Sequence, residues 1–349
     1  VREPLEEEPL VSVILAAKDE EEAIGRTLET LAGQSYRNLE IIVVNDRSED
    51  GTGEAAERFS RSDSRVKVLH VERLPEGWLG KNHAMYTGYL EAKGSLLLFT
   101  DADVRFRPEA IRSAVAYLMR HRADHLSLIP YFETPTFWLK GFVHFFGATL
   151  YLNRWPWKPN DDRRTEGGIG IGAFLLLTRE AYERIGTHRE LKLRPDDDLQ
   201  LGIRVKQSWL RQRYLIGTDH LRVEWYPDLP AAMRGLEKNV FAGLNYSLSM
   251  LLYVWIAMFL FHLYPFAGIW LTESWARAAH AAAILFLLAL YGLYTWKIHR
   301  NAPYDLILFP VFAVLYLYVM TRSCVLVLRR GGVCWRGTFY RLDELKELR

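Results

Sequence analysis

The 349-residue chain is half hydrophobic and carries 44 Lys and Arg against 42 Asp and Glu, a formal charge of +2. Its arginines are scattered and not gathered into one stripe, which leaves no case for a nucleic-acid surface. Cys324 and Cys334 have neither the number nor the spacing for a disulfide framework or a thiolate metal centre, and both are read as reduced thiols on the cytoplasmic side. The length allows about two domains. Residues 1–240 alternate charged and apolar segments as a soluble α/β protein does, whereas 244–328 hold three long, aromatic-rich apolar stretches. A soluble domain followed by a membrane domain is expected.

In chain order, Val11–Ala17 reads as a first strand, followed by the acidic run Lys18-Asp19-Glu20-Glu21-Glu22 and a helix carrying Ile24, Leu28 and Leu31. Those carboxylates suit the positive end of the helix, and Asp19 or Glu20 also suits a hydrogen bond to a nucleotide. Leu39–Asp46 repeats the design, with Ser48 and Gly51 in a loop before a helix through Ala55 and Phe59. Two strand–carboxylate–helix units in succession predict a parallel, Rossmann-like half. Val66–Val71 is a third, shorter strand. In Gly77-Trp78-Leu79-Gly80-Lys81-Asn82, glycines around a lysine bring backbone close to a ligand and set an ammonium where a diphosphate would lie, without Walker spacing. A helix from about Ala84 to Ala92 leads to the apolar run Leu96–Phe99, which reads as a strand covered on both faces. Side chains two apart in extended chain share a side, so Asp101 and Asp103 converge beyond its carboxyl end. Ligands of open α/β sheets bind there, and oxygen donors suit Mg²⁺ or Mn²⁺. The pair alone also fits a turn or a helix N-cap, with Pro108 marking a helix start.

Residues 136–153, around Phe137-Trp138-Leu139-Lys140, read as an interfacial helix, with a core helix as the competing account. Gly167–Gly172 reads as a flexible loop before the strand Leu175-Leu176-Leu177 and a helix near Arg179. Asp196-Asp197-Asp198 opens a further helix. One of the three is expected to cap it, but three exceed what capping needs, and packed together they raise one another's pKa, as suits a general base. His83 and His144 are expected to be hydrogen-bonded structural residues and not metal ligands.

The ordered motifs Val13–Glu20, Val43–Ser48 with Gly51-Thr52, Gly80-Lys81 and Asp101-Ala102-Asp103 resemble those of the family 2 inverting glycosyltransferases of GT-A fold, over residues 10–240. The resemblance implies a Rossmann-like α/β GT-A catalytic domain over 1–243, followed by transmembrane helices over 244–328 and a basic tail over 329–349. It places Ala17, Asp19, Glu20, Asp46 and Lys81 at the nucleotide, Asp101 toward ribose or sugar, and Asp103 on a Mg²⁺ or Mn²⁺ that holds the diphosphate. Gly172-Ala173-Phe174 looks like the family's acceptor-side wall. Asp198, followed by Leu199-Gln200-Leu201-Gly202, aligns with its catalytic base and Asp197 with the acidic partner. A single displacement with inversion follows.

The Gln/Arg-x-x-Arg-Trp motif of processive synthases has no match. The nearest string is Arg211-Gln212-Arg213-Tyr214, so transfer of one sugar is expected. Gly77–Lys81, Asp196–Gly202, the string 236–244 and Trp335-Arg336-Gly337-Thr338 resemble the subgroup that glycosylates single lipids, carotenoid glucosyltransferases first, with ceramide- and hopanoid-type enzymes nearby. The implied reaction moves a sugar, glucose, from a UDP-sugar to a lipid hydroxyl. Transfer to polyprenyl phosphate and a non-enzymatic membrane scaffold are the alternatives.

Tyr246–Leu271, Trp275–Trp296 and Tyr304–Leu328 each exceed the roughly 20 apolar residues a crossing needs. Three crossings from a cytoplasmic catalytic domain would put Arg329, Arg330, Arg336 and Arg341 outside, against the positive-inside rule. The tail is therefore expected in the cytoplasm of a cell-membrane protein, with one stretch re-entrant or interfacial and Pro265 and Pro310 as candidate breaks. On this reading Trp335 returns to the acceptor and Arg336 to the diphosphate, or both anchor at the membrane surface. The 136–153 helix seats the domain on the membrane and guides a lipid hydroxyl to Asp198.

Overall fold

The computed structural model describes residues 7–153, 157–300 and 304–347. The chain runs β1 (Val11–Ala17), α1 (Glu21–Ala32), β2 (Leu39–Asp46), α2 (Thr52–Ser62), β3 (Val66–Val71), α3 (Gly80–Glu91), β4 (Leu96–Asp101), β5 (Val104–Phe106), α4 (Ala110–Arg120), β6 (His125–Ile129) and β7 (Tyr131–Phe132). It continues through α5 (Phe137–Asn153), β8 (Leu175–Thr178), α6 (Arg179–Arg184), a 3-10 turn (His188–Leu191), α7 (Asp197–Gln207), β9 (Gln212–Ile216) and β10 (Leu221–Val223). Then come α8 (Leu229–Ala242), α9 (Leu248–Met258), α10 (Tyr264–Leu271), α11 (Ser274–His299), α12 (Phe309–Arg330), the hairpin β11 (Gly332–Trp335) and β12 (Thr338–Arg341), and α13 (Leu342–Glu347). Two compact units result, Val1–Tyr131 with Arg154–Glu224, and Phe132–Asn153 with Trp225–Arg349.

In the first unit, the described residues build a seven-stranded sheet in the order β3-β2-β1-β4-β8-β6-β9. β1, β2, β3 and β4 pair in parallel, as do β6 and β9, while β8 runs antiparallel to both β4 and β6. β1 and β2 are apolar on both faces because helices cover both, and nearly every residue of each is buried. α1 buries Ile24, Thr27, Leu28 and Leu31, the i, i+3, i+4, i+7 stripe of a helix lying on a sheet. Another part of the core joins Ile14, Leu97 and Phe99 to Leu175, Leu177, Tyr182 and Leu201, tying both halves of the sheet to α6 and α7. The register sets Ala16 opposite Asp101 and Ala17 opposite Asn45, so the ends of β1, β2 and β4 share one edge. The chain order reverses between β1 and β4, the usual place for a ligand.

Two local expectations change. α3 begins at Gly80 and not near Ala84, so Lys81 stands on a first helical turn. The cause is distant in sequence: the buried Asn82 amide donates to the carbonyls of Leu191 and Arg194, pinning this turn to the connection before α7. The glycine-rich stretch before β8 is no free loop. The Ile169 N–H donates to Gln212 Oε1 and the Ile171 N–H to Ser127 Oγ, both at 3.0 Å, and a Cβ on Gly170 would collide with the Asp198 carbonyl.

The second unit differs from the expected boundary at 243, because α5 and α8 both belong to it. α8 is capped by Asp228, which accepts the Ala231 N–H, and it is tied to α12 by Glu237, whose carbonyl takes the Ser323 hydroxyl and whose carboxylate takes Arg322, each at 2.5 Å. α5 is joined to the start of the last long helix by His144, whose Nδ1 lies 3.0 Å from Asp305 Oδ2; Tyr291 of α11 donates to the same oxygen at 2.5 Å. Among the described residues, Leu248–Leu271, Ser274–His299 and Asp305–Arg330 are long and apolar enough to cross a membrane. Leu252, Phe261, Trp270, Leu285, Phe286 and Ile307 all point outward from these helices, as lipid contact requires. Neither proline breaks them. Pro310 sits in the first turn of α12, where its missing N–H costs nothing, and a π-helical turn, Phe259–Leu263, absorbs Pro265.

Candidate active site

The β1 and β2 ends are stitched together through the loops that follow them. Asp19, at φ +53°, donates its N–H to Ser48 Oγ and accepts the Glu49 N–H on Oδ1, while the Glu20 N–H donates to Thr52 Oγ1 at 2.7 Å. Ala17 is buried as the last residue of β1. Asp46, 3% exposed, is gripped through both oxygens by Arg47, at 2.7 and 3.0 Å, and lies against Gly80. Arg47 stands in the quoted motif, yet its side-chain role had no sequence signal beyond its charge.

The end of β4 and the start of α7 meet around Lys81. Its ammonium lies 2.8 Å from Asp101 Oδ1 and 3.7 Å from Asp197 Oδ1. Burial opposes the charge on Lys81, but Asp101, Asp197 and Asp198 outweigh it and raise the ammonium above its ordinary range. Gly172 completes the cluster: a Cβ there would come 2.7 Å from Asp101 Oδ2 and 3.3 Å from Lys81 Nζ, so the missing side chain leaves this space open.

The three consecutive aspartates separate by task. Asp196 occupies the N-cap position of α7 but makes no side-chain cap, contrary to expectation. Its carboxylate is taken by Arg194 through two 2.9 Å bonds and by the Gln200 amide. Asp197 is 3% exposed and stands between Lys81 and His188. Asp198 accepts the Leu199 N–H on Oδ1 at 2.7 Å and the Gly172 N–H on Oδ2 at 2.8 Å, so its orientation is fixed by backbone. Burial first, then the neighbouring Asp197 charge, pushes its carboxyl up to about 7 against the pull of Lys81.

Asp103 is likewise pushed up to about 7, by burial and then by the charges of Asp101 and Glu20. Carboxylates crowded in this way are the donor set a hard divalent cation neutralises, so these residues fit Mg²⁺ or Mn²⁺. No group of three or more His, Cys, Asp or Glu is arranged as a metal site among the described residues. The side chains would therefore supply part of the coordination and substrate oxygens the rest.

Ala173 and Phe174 are not gathered at this cluster. Ala173 is buried, its carbonyl taken by Thr100 Oγ1 at 2.8 Å, and Phe174 is fully buried beside Phe106, so Phe174 is core and presents no wall to an acceptor. Of that tripeptide only Gly172 faces the carboxylates. Trp335 and Arg336 belong to the second unit, at the tip of the β11–β12 hairpin, where Arg336 and Gly337 turn the chain with φ of +45° and +78°. His83 packs edge-on against Trp78, burial pushes its imidazole down, and its buried Nδ1 has no hydrogen-bond partner among the described residues, contrary to the expected hydrogen-bonded histidine.

A Rossmann-like sheet with lysine and carboxylates gathered at its carboxyl edge is the arrangement of the GT-A fold. Residues 12–186, half of the chain, match the family model described as Glycosyl transferase family 2, and the chain belongs to that family. It is 24% identical over 344 residues to the 4,4'-diaponeurosporenoate glycosyltransferase of Staphylococcus aureus strain USA300, covering 96% of this chain and 89% of the relative. The enzyme of the same name from the bovine strain RF122 is 31% identical over 181 residues, 51% of this chain and 46% of that one. Among solved structures, the mannosyltransferase PcManGT from Pyrobaculum calidifontis, in complex with GDP-Man and Mn²⁺, superposes with a TM-score of 0.52 at 19% identity, covering 94% of this chain and 91% of that one. This likeness shows the shared fold.

Proposed function

We propose that the protein is a membrane-anchored, metal-dependent, inverting hexosyltransferase that moves one sugar, glucose, from a UDP-sugar to the hydroxyl of a carotenoid-like or sphingolipid- or hopanoid-like lipid. The observation that carries this reading is Asp198, a carboxylate fixed by two backbone N–H groups, raised to about 7, and separated from Lys81 and Asp101 by the side-chain-free Gly172. Asp198 takes the proton of the acceptor hydroxyl as its oxygen attacks the anomeric carbon. The bond from that carbon to the diphosphate breaks on the opposite face, and the configuration inverts. Lys81 offsets charge on the departing diphosphate. Asp103 would hold Mg²⁺ or Mn²⁺, which supplies further charge neutralisation on the same group. Ala17, Asp19, Glu20 and Asp46 line the nucleotide side, with Asp101 toward ribose or sugar. The catalytic unit works on the cytoplasmic side of the cell membrane, anchored by the long apolar helices. The Pyrobaculum neighbour, named with GDP-Man and Mn²⁺, and the staphylococcal relatives, named for a carotenoid-type substrate, support a nucleotide sugar, a divalent ion and a long apolar acceptor.

A second reading is favoured by the relatives' name, which describes a carboxylate substrate. An acceptor carboxylate, like a polyprenyl phosphate, is already ionised and needs no base. The deciding experiment is turnover of detergent-solubilised protein with UDP- and GDP-sugars, with and without Mn²⁺ or Mg²⁺, against extracted lipids, alongside Asp198→Asn. Metal-dependent release of nucleoside diphosphate with a glycolipid product, lowered about 10²- to 10⁴-fold in the variant, supports the hydroxyl reading. Full turnover by the variant supports an anionic acceptor, and an inert wild type supports a scaffold.

A further inference from the structure

Behind the carboxylates of α7 lies a buried line of polar groups that the reaction above leaves without a task. Tyr182 and His188 are 0% and 1% exposed, and Phe99 packs on both rings. The Tyr182 hydroxyl accepts the His188 backbone N–H at 3.0 Å and lies 2.6 Å from the same residue's ring Nδ1. A Tyr182 hydrogen directed at Nδ1 would leave the ring proton on Nε2, and this is the tautomer the proposal requires. Nε2 stands 3.8 Å from Asp197 Oδ2, and the other oxygen of Asp197 is 3.7 Å from Lys81.

The backbone is held in a costly shape to deliver His188 there. Thr187, immediately before it, has φ +61° and ψ −171°, a region almost reserved for glycine and least suited to a β-branched residue. Its surroundings enforce the shape. The Thr187 N–H donates to the Tyr182 carbonyl at 3.1 Å, and its hydroxyl accepts the Arg189 N–H at 3.2 Å. Strain of this kind persists where the fold over-determines one position, here the ring beside Asp197.

We propose that His188 is a positioning residue for the base: oriented by Tyr182, its Nε2–H faces Asp197 and, with Lys81 on the opposite oxygen, holds that carboxylate ionised and in place beside Asp198. The proposal rests on the assignment of Asp198 as base. Among the groups that face Asp197 are Lys81 from α3, His188 from the 3-10 turn and Asp198 from its own helix; Tyr182 of α6 acts through His188, and Asp101 of β4 through Lys81. Removing the Nε2–H lets Asp197 take a proton more readily. Asp198 then loses a negative neighbour, becomes the weaker base, and titrates lower.

The test follows nucleoside diphosphate release from UDP-glucose with Mn²⁺ and extracted lipid, against pH, for wild type, His188→Leu, His188→Gln and Asp198→Asn. The His188 tautomer is read in wild type from ¹⁵N-histidine NMR. His188→Leu is expected to lower kcat about 10- to 100-fold, keep the donor KM within about threefold, and move the acid limb of kcat to lower pH. His188→Gln, which keeps an N–H near the Nε2 position, restores most of kcat. A proton on Nδ1, or a leucine variant with wild-type kcat and acid limb, overturns the proposal. A loss that glutamine does not restore and that leaves the acid limb unmoved also overturns it, as a purely structural effect. Asp198→Asn with wild-type turnover overturns the base assignment and takes the proposal with it, whereas an inactive Asp198→Asn beside an unaffected His188→Leu overturns the proposal alone.

Discussion

At the ends of β1 and β2, acidic side chains are occupied by the protein's own donors: Asp19 by the Glu49 N–H, Asp46 by Arg47, and Asp50 by the N–H and hydroxyl of Thr52. Burial alone would raise Asp50, yet the bonds from Thr52 hold it below its ordinary value. At the end of β4 and the start of α7, Asp101, Asp103, Asp197 and Asp198 surround Lys81, and two of the four are pushed up to about 7. Both regions look alike in composition. What separates them is the balance between negative charge and nearby donors. Where donors suffice, a carboxylate fastens loops; where charge exceeds them, it is poised to take a proton or a cation.

Lys81→Met strikes the crowded region hardest. Losing the ammonium proposed to face the leaving group is expected to lower kcat by about 10²- to 10³-fold in steady-state kinetics. A rise in donor KM at constant kcat would instead make Lys81 a ground-state ligand and remove the catalytic side of the contrast.

Asp196→Ala sharpens the contrast within one helix. Asp196 lies two residues from Asp198, but its partner is the buried Arg194, and both are 8% exposed. Losing both bonds to that buried guanidinium should cost about 3 kcal/mol, read as an earlier denaturation midpoint, with the acid limb of kcat unmoved.

Asp198→Asn should do the reverse to stability. A folded pKa of about 7, above the usual carboxylate value, means that the native state keeps a proton the unfolded state has released. Wild type therefore loses stability as pH rises from about 4 to about 7. Asparagine escapes this loss, so the variant should melt a few degrees higher at about pH 8, with the gap closing near pH 4. Equal melting at both pH values would class Asp198 with the loop-fastening carboxylates.

The smallest effect belongs to Asp19→Ala, at an exposed loop. Removing the acceptor of the Glu49 N–H should cost about 1 kcal/mol or less in a denaturation midpoint. An accompanying rise in donor KM would show that this carboxylate serves the nucleotide as well as the fold.

The strands of the nucleotide half were legible because their cause is local: apolar runs of strand length ending in carboxylates and followed by amphipathic helices. The carboxylate cluster at the start of α7 was legible for a related reason, since three adjacent aspartates exceed any capping need. Their division of labour was not, because it depends on Arg194 turning back onto Asp196 and on Gly172 and His188 arriving from other elements. The early start of α3 depends on Asn82 reaching carbonyls more than a hundred residues away. Phe174 was placed at the acceptor wall with Gly172 and Ala173 by the resemblance alone, whereas its ring packs inward beside Phe106. His188 had no signal but its spacing from Tyr182, for strain at Thr187 is a property of dihedral angles that composition does not reveal.

β8 runs against both its neighbours, so the chain that enters it, at Gly172, meets at one edge the chain that leaves β1, β2 and β4. The proposed donor side is thus made from strand exits and the proposed acceptor side from a strand entrance. Such a topology makes the two substrate preferences separately evolvable: one nucleotide-sugar half can be kept while its clientele of acceptors is exchanged.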